Sequence, residues 1–168
     1  MNEDLIIDDF DDLNENKEFD IEVIFLGEEK VGKTQIINQL INKEFNENYI
    51  KTFSANQNKT TIKILEDTIK SKPLKIYDLP GSKQFSSINK TFLKSPEIIL
   101  MVYDITNIES FIDLYNWNEL LAEKEDVLKC VIGNKNDLQK KGRYLKKTEK
   151  ILQIKLGLFF SRLMLKTI

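Results

Sequence analysis

Gly27-Glu28-Glu29-Lys30-Val31-Gly32-Lys33-Thr34 decides how this chain is read. It follows the apolar run Ile21-Glu22-Val23-Ile24-Phe25-Leu26 and precedes Ile36, Ile37, Leu40 and Ile41, which recur with the period of a helix. A buried strand, then G-x-x-x-x-G-K-T, then a helix is the setting of a phosphate-binding loop. The two glycines let the backbone wrap an anion with its N–H groups turned inward. The helix N-terminus adds partial positive charge, Lys33 a mobile cation, and the Thr34 hydroxyl a ligand suited to Mg²⁺.

The rest of the composition narrows the class. A chain of 168 residues holds one domain with a sizeable core and not two. Hydrophobic residues make up 41% and charged residues 31%, as in ordinary soluble domains. A net charge of −2 gives no electrostatic footprint for nucleic acid. The single cysteine, Cys130, cannot form an internal disulfide framework, so a reducing compartment is expected. No apolar run approaches a membrane span, and residues 1–20 lack the basic start and hydrophobic segment of a signal peptide. A cytoplasmic protein is expected.

Taken in order, residues 2–20 hold nine acidic residues and one lysine, so residues 1–17 are expected to be a disordered acidic tail and residues 18–168 the domain. Within the tail, Ile6, Phe10 and Leu13 fall at i, i+4 and i+7, an apolar stripe on any helix formed there. Beyond it, strand and helix patterns alternate. Strands are expected at Ile21–Leu26, Thr60–Leu65, Leu74–Tyr77, Ile98–Tyr103, Leu128–Gly133 and Leu158–Leu163. The second and third should form a hairpin turned near Lys70–Pro73. Helices are expected at Lys33–Asn42, near Asn89–Leu93, at Ser110–Leu121 and at Thr148–Leu156, where Gly157 stops the last. A polar loop spans Glu44–Asn58. This alternation predicts a mostly parallel sheet covered on both faces, with ligands at the carboxyl ends of its strands.

Two further motifs lie at such ends. Asp78-Leu79-Pro80-Gly81 offers a carboxylate that can hold Mg²⁺ through water and a glycine N–H that can approach a γ-phosphate. Asn134-Lys135-Asn136-Asp137 can enclose a purine plane. Its Asp can accept from a ring N–H and an exocyclic amine, a donor pair that guanine has and adenine lacks. Each motif alone is more often just a turn; in this order and register they support one another.

The chain resembles the small GTPases of the Ras superfamily and is most similar to the Rab family. The matching text is Gly27–Thr34, Phe45-Asn46-Glu47-Asn48-Tyr49-Ile50-Lys51-Thr52, Tyr77–Gly81, Val102-Tyr103-Asp104-Ile105-Thr106 with Glu109-Ser110-Phe111 and Trp117, and Gly133–Leu138. The resemblance implies a P-loop three-layer α/β sandwich on a six-stranded sheet whose second strand is antiparallel. It implies GTP/GDP and Mg²⁺ as cofactors and a molecular switch in vesicle-mediated transport. Nucleotide contacts would fall to Gly27, Glu29, Lys30, Val31, Gly32, Lys33, Thr34, Gln35, Thr52, Gly81, Asn134, Lys135, Asp137, Leu165 and Lys166. Metal contacts would fall to Thr34, Thr52 and Asp78. Effectors, exchange factors and GTPase-activating proteins would read a monomer at the switches around Thr52 and Gly81–Phe85.

Several positions depart from the family pattern. Ser82 and Lys83 stand where a glutamine that orients the attacking water and a glutamate are usual. Hydrolysis is therefore expected to be slow, with Ser82 as the catalytic position. Pro80 replaces a small residue and stiffens the second switch. Glu29 and Lys30 replace small residues, and the carboxylate must face solvent or pair with Lys30 to tolerate a triphosphate. Met164-Leu165-Lys166 replaces a Ser-Ala-Lys loop, and no terminal helix or lipidated cysteine follows, so no lipid anchor is expected on this chain. A truncated G domain, a marginal one, or one whose uncovered face receives the Ile6–Phe10–Leu13 stripe all fit. Lys140, Lys141, Arg143, Lys146, Lys147 and Lys150 read as a solvated face. Two rival functions stand beside the switch. One is a pseudo-GTPase that binds nucleotide with little hydrolysis. The other is a P-loop small-molecule kinase, disfavoured because Arg143 and Arg162 are the chain's sole arginines.

Overall fold

Alternation along the first strand builds both halves of the core. In β1 (Ile21–Leu26), Val23 and Phe25 point to one face of the sheet and Ile24 and Leu26 to the other. A strand apolar on both faces needs cover on both. The structure, a computed structural model, describes residues 20–42, 44–46, 48–65, 69–81, 92–94, 96–122, 126–141 and 159–162. One face is covered by α1 (Lys33–Ile41), which brings Ile36 and Ile37 onto Val23, Phe25, Leu74, Ile76 and Val102. The other is covered by α2 (Ile108–Ile112) and α3 (Leu114–Leu120), which add Phe111, Leu114 and Trp117 to Ile24, Leu26, Ile99, Met101 and Tyr103.

The remaining strands are β2 (Asn56–Leu65), β3 (Ile69–Asp78), β4 (Ile98–Asp104), β5 (Leu128–Asn134) and β6 (Phe159–Arg162). They form a six-stranded sheet in the order β2-β3-β1-β4-β5-β6. β1 pairs in parallel with β3, Ile21 opposite Leu74 and Phe25 opposite Asp78, and with β4, Val23 opposite Ile98. β4–β5 and β5–β6 are also parallel, while β2 alone runs antiparallel, against β3. The chain leaves β1 for β3 on one side and β4 on the other, so a crevice opens at the carboxyl end of β1. The loops after β1, β3 and β5 all open there. This is the three-layer, mostly parallel architecture expected from the sequence.

Differences are local and have physical causes. The hairpin does not turn at Lys70–Pro73. β3 begins at Ile69, and Pro73 stands within it opposite Thr61. Pairing with β1 starts one residue later, at Leu74, so Pro73 has a neighbouring strand on one side alone, where proline is tolerated. β2 starts at Asn56, inside the expected loop, because Asn56, Gln57 and Asn58 pair with Asp78, Tyr77 and Ile76 despite their low strand propensity. The helix expected at Ser110–Leu121 begins earlier, at Ile108, and is divided at Asp113. The Asn107 side chain caps it by accepting the Glu109 N–H at 3.0 Å. The expected tail 1–17, residues 89–91 of the helix near Asn89, the helix at Thr148–Leu156 and residues 163–168 lie outside the described residues. Among the described residues no helix is long and apolar enough to cross a membrane.

Phe111 is fully buried and meets the Tyr103 ring edge-on at 4.9 Å between centroids. Phe111→Ala should lower unfolding stability by about 3–5 kcal/mol in denaturant titration. Ile112→Ala, one residue on and half exposed, should change it by less than about 0.5 kcal/mol.

Candidate functional site

The loop after β1 curls because glycine stands at its tightest points. Gly27 has φ 136°, and a Cβ there would strike the Val102 carbonyl oxygen. Gly32 has φ 97°, and a Cβ there would strike the Asn134 side-chain amide. Both positions are closed to other residues by backbone angle and by space. Lys30 also adopts a positive φ of 63°. The loop then enters α1 through the Ile36 N–H bond to the Gly32 carbonyl, 3.0 Å. Lys33, at the start of α1, turns its ammonium back into the curl and donates to the carbonyls of Gly27 (2.8 Å) and Glu28 (3.0 Å). It is 6% exposed. Burial brings its pKa down to about 8, against the opposing pull of Asp78, Glu28 and Glu29.

A second corner forms where β3 ends. The Thr34 hydroxyl donates to Asp78 Oδ2 at 2.6 Å and lies 3.2 Å from the Thr52 hydroxyl. Thr34 has one hydroxyl proton, given to Asp78, so Thr52 is the donor of the second bond. Asp78 is 1% exposed. Burial raises its pKa, partly offset by the Thr34 hydrogen bond and the Lys33 charge. Its other oxygen, Oδ1, is buried with no hydrogen-bond partner among the described residues. Two hydroxyls beside a carboxylate with an unused oxygen suit a hard cation such as Mg²⁺, which takes oxygen ligands and retains waters. Among the described residues no group of three carboxylate, histidine or cysteine side chains that could hold a metal ion occurs. Gly81 closes the wall, since a Cβ there would come within 2.5 Å of the Glu28 carbonyl oxygen and the Glu29 nitrogen.

The third corner follows β5. Asn134 is 4% exposed and its side-chain amide donates to the Val31 carbonyl at 2.8 Å. Lys135 follows with φ 62°, and its ammonium lies 2.7 Å from Asp104 Oδ2. The other Asp104 oxygen accepts from the Thr106 N–H and hydroxyl at 2.8 and 2.7 Å. Lys135 is thereby stretched along its stem and fixed at both ends. Asp137 opens the 3₁₀ turn Asn136–Lys141, which the Leu138 N–H bond to the Lys135 carbonyl helps to close. The segment expected to enclose a purine is coiled as a 3₁₀ turn, and Asp137 lines the cavity.

These corners border one cavity of about 520 Å³, within the size range of small-molecule sites. Glu29, Lys30, Gly32, Lys33, Thr34, Gln35, Thr52, Gly81, Asn134, Lys135 and Asp137 all line it. Gly27, Val31 and Asp78 stand behind this wall. Gly27 and Val31 contribute carbonyl oxygens to Lys33 and Asn134, and Asp78 holds Thr34. Ser82, Leu165 and Lys166 lie outside the described residues. Residues not singled out as contacts complete the wall: Phe45, Asn46, Asn48, Tyr49, Ile50 and Leu138. All six lie in stretches quoted above for the family resemblance, five of them in a polar loop without periodicity and Leu138 in the turn after β5. Gln35 holds that loop in place by accepting the Asn46 N–H at 3.0 Å. Glu29, expected to face solvent or to pair with Lys30, is about one-third exposed and lies 2.8 Å from the Lys51 ammonium, while the Lys30 ammonium lies 5.5 Å from the Tyr49 ring centre.

A strand–loop–helix anion cradle at the switch point of this sheet, with strand order β2-β3-β1-β4-β5-β6, is the architecture of the small GTPase fold. The sequence profile of the Ras family matches residues 22–163, and the chain belongs to that family. Among its relatives, Ras-related protein Rab7 of Pisum sativum is 33% identical over 124 residues, 70% of this chain and 59% of the relative. Ras-related protein Rab-7b of Bos taurus is 34% identical over 132 residues, 76% of this chain and 64% of the relative. Ypt/Rab-type GTPase ypt7 of Schizosaccharomyces pombe is 33% identical over 135 residues, 77% of this chain and 64% of the relative. The matched part thus spans about six-tenths of these relatives' length.

Removing the Asn134 amide strands the buried Val31 carbonyl, so Asn134→Ala should cost about 1–3 kcal/mol of stability. Asn134→Asp should cost more, because it sets a carboxylate oxygen against that carbonyl. Melting temperatures of the two variants, ranked below the parent in that order, check the assignment.

Proposed function

We propose that this chain binds guanine nucleotides with Mg²⁺ and works as a GTP/GDP switch of the Rab type, hydrolysing GTP slowly and serving vesicle traffic. The observation that carries this reading is the meeting of three loops, from three strand ends, around one cavity of about 520 Å³. The phosphates fall to the Gly27–Thr34 loop. There Lys33 exchanges the Gly27 and Glu28 carbonyls for phosphate oxygens. Thr34 and Thr52 would hold Mg²⁺ through their hydroxyls, with Asp78 behind them through water. The bound ion would neutralise charge on the phosphate chain. Asn134, Lys135 and Asp137 take the base, Asp137 accepting from the ring N–H and the 2-amine. Leu165 and Lys166 are the remaining proposed base contacts, and Ser82 occupies the water-orienting position.

The switch follows from where Thr52 lies. Its segment also carries Tyr49, Ile50 and Phe53, all of them large and exposed. A change of phosphate state felt at the Thr52 hydroxyl therefore alters an apolar surface that effectors, exchange factors and GTPase-activating proteins can read. The protein acts as a cytoplasmic monomer without a nucleic-acid partner.

Displacement of fluorescent GDP tests the base assignment. GDP should compete best. IDP, which lacks the 2-amine, should be roughly ten- to hundredfold weaker and ADP weaker still. Asp137→Ala should compress that ranking, and equal competition by ADP and GDP would sink the guanine reading. The pH dependence tests Lys33. Phosphate contact keeps its ammonium protonated, whereas in the free protein it titrates at about 8. Below that pH both states carry the proton and GDP affinity should be level. Above it the free protein must regain the proton, so affinity should fall by up to about tenfold per pH unit. Lys33→Arg, which does not titrate in this range, should remove the slope.

A further inference from the structure

Glu29, on the cavity wall, and Lys51 form an ion pair that the phosphate, metal and base motifs do not explain. Glu29 lines the cavity beside Gly32, Lys33 and Thr34. The Lys51 ammonium lies 2.8 Å from Glu29 Oε1, and the two side chains are 35% and 32% exposed. As a structural strut such a pair is a poor investment of two charges, since exposed ion pairs contribute little to stability. Its position says more. Lys51 immediately precedes Thr52, so the pair joins the phosphate loop to the segment that reaches the metal corner. On the other side, the backbone of Glu28 and Glu29 packs directly against Gly81. On the function proposed above, the last phosphate of a triphosphate arrives between Lys33 and Gly81, beside Glu29. A diphosphate stops one group short.

A bare carboxylate at that place repels a terminal phosphate, and the walls of a cavity screen such repulsion less than open water does. Lys30, the obvious neighbour in sequence, is engaged over the Tyr49 ring. Lys51 is a cation that the fold sets 2.8 Å from the carboxylate, and Glu29 in turn holds the Lys51 pKa above its usual value by their hydrogen bond. We propose that Lys51 neutralises Glu29 so that the cradle admits a triphosphate, and that this pair sets the preference between GTP and GDP. Lys51 is thus a specificity-determining residue that acts through Glu29.

The test measures affinities of the full chain for GDP and for a non-hydrolysable GTP analogue, by displacement of fluorescent GDP with Mg²⁺ present. Lys51→Ala should lower the triphosphate-to-diphosphate affinity ratio by about tenfold, equivalent to about 1.4 kcal/mol. Lys51→Arg should keep the parent ratio. Adding Glu29→Gln to Lys51→Ala should restore it, because the neutral amide leaves no charge to repel. Equal loss of both affinities in Lys51→Ala would overturn the proposal in favour of a simple loop anchor. A double variant as poor in triphosphate as Lys51→Ala would overturn it too, showing that the lysine acts on phosphate directly. Parent protein that binds neither nucleotide would sink the guanine reading and this proposal together. Parent binding with an unchanged ratio in Lys51→Ala would sink this proposal alone. Circular dichroism melts of each variant confirm that folded protein is compared.

Discussion

The Asn134 side-chain amide and the Val31 carbonyl meet at 2.8 Å across 103 residues of sequence. That bond fixes the distance between the two ends of the cavity. It ties the last residue of β5 to the curl that follows β1, although β4 lies between the two strands. It also dictates the identity of Gly32, whose missing side chain leaves the space the amide occupies. Both partners are buried, so neither can replace the bond with water without opening the structure. The phosphate end and the base end are therefore one rigid piece. The third wall, from Phe45 to Thr52, is held more lightly, by Gln35, by the Glu29–Lys51 pair and by the Thr34–Thr52 contact.

That division of rigidity suits a switch. On the function proposed above, the parts that would recognise a constant feature, the diphosphate and the purine, rest on buried strand ends and glycines. The part that must respond to one extra phosphate rests on half-exposed contacts, each worth little by itself. Its outward side chains, Ile50 and Phe53, are 74% and 68% exposed. Apolar groups so placed gain from a partner and lose little when the segment moves.

The sequence made one half of this plain and concealed the other, for a reason visible in particular residues. β1, α1 and β5 were legible almost to the residue because their burial is periodic and their ends carry glycine or asparagine with a geometric task. The spacing G-x-x-x-x-G-K-T fixed Lys33 and Thr34, and the order of Asp78 and Asn134–Asp137 along alternating elements placed them at the same sheet edge. The β2–β3 hairpin was misjudged because Pro73 looks like a turn and is instead tolerated beside an unpaired edge. Asn56–Asn58 looked like loop because their strand state comes from pairing with β3 and not from their own preference. Glu29 departs from the family pattern, but Lys51, with which it pairs, is 22 positions away in a stretch with no period, and no local rule selects Lys51 over the adjacent Lys30. Contacts made by a folded loop are written in three dimensions alone.

Two buried charges stand at this cavity. A lysine 6% exposed and a carboxylate 1% exposed are both pushed by burial toward their neutral forms, and Asp78 Oδ1 has no partner among the described residues. Each is destabilising by itself, and apolar replacements of similar shape would pack without that penalty. Their retention makes sense if the groups that satisfy them arrive from outside the chain. An anion at Lys33 and a cation at the Asp78–Thr34 corner would each supply the missing charge, and the two ligand charges would neutralise one another. A ligand held at one hundred times its dissociation constant adds about 2.7 kcal/mol to stability by mass action. That is a substantial share of the roughly 5–15 kcal/mol that holds an ordinary domain together. On the proposed function, the domain's folding and its ligand occupancy would be coupled through the same two buried charges, and the hydrogen bond between Asn134 and Val31 would link the phosphate loop to the base-binding turn.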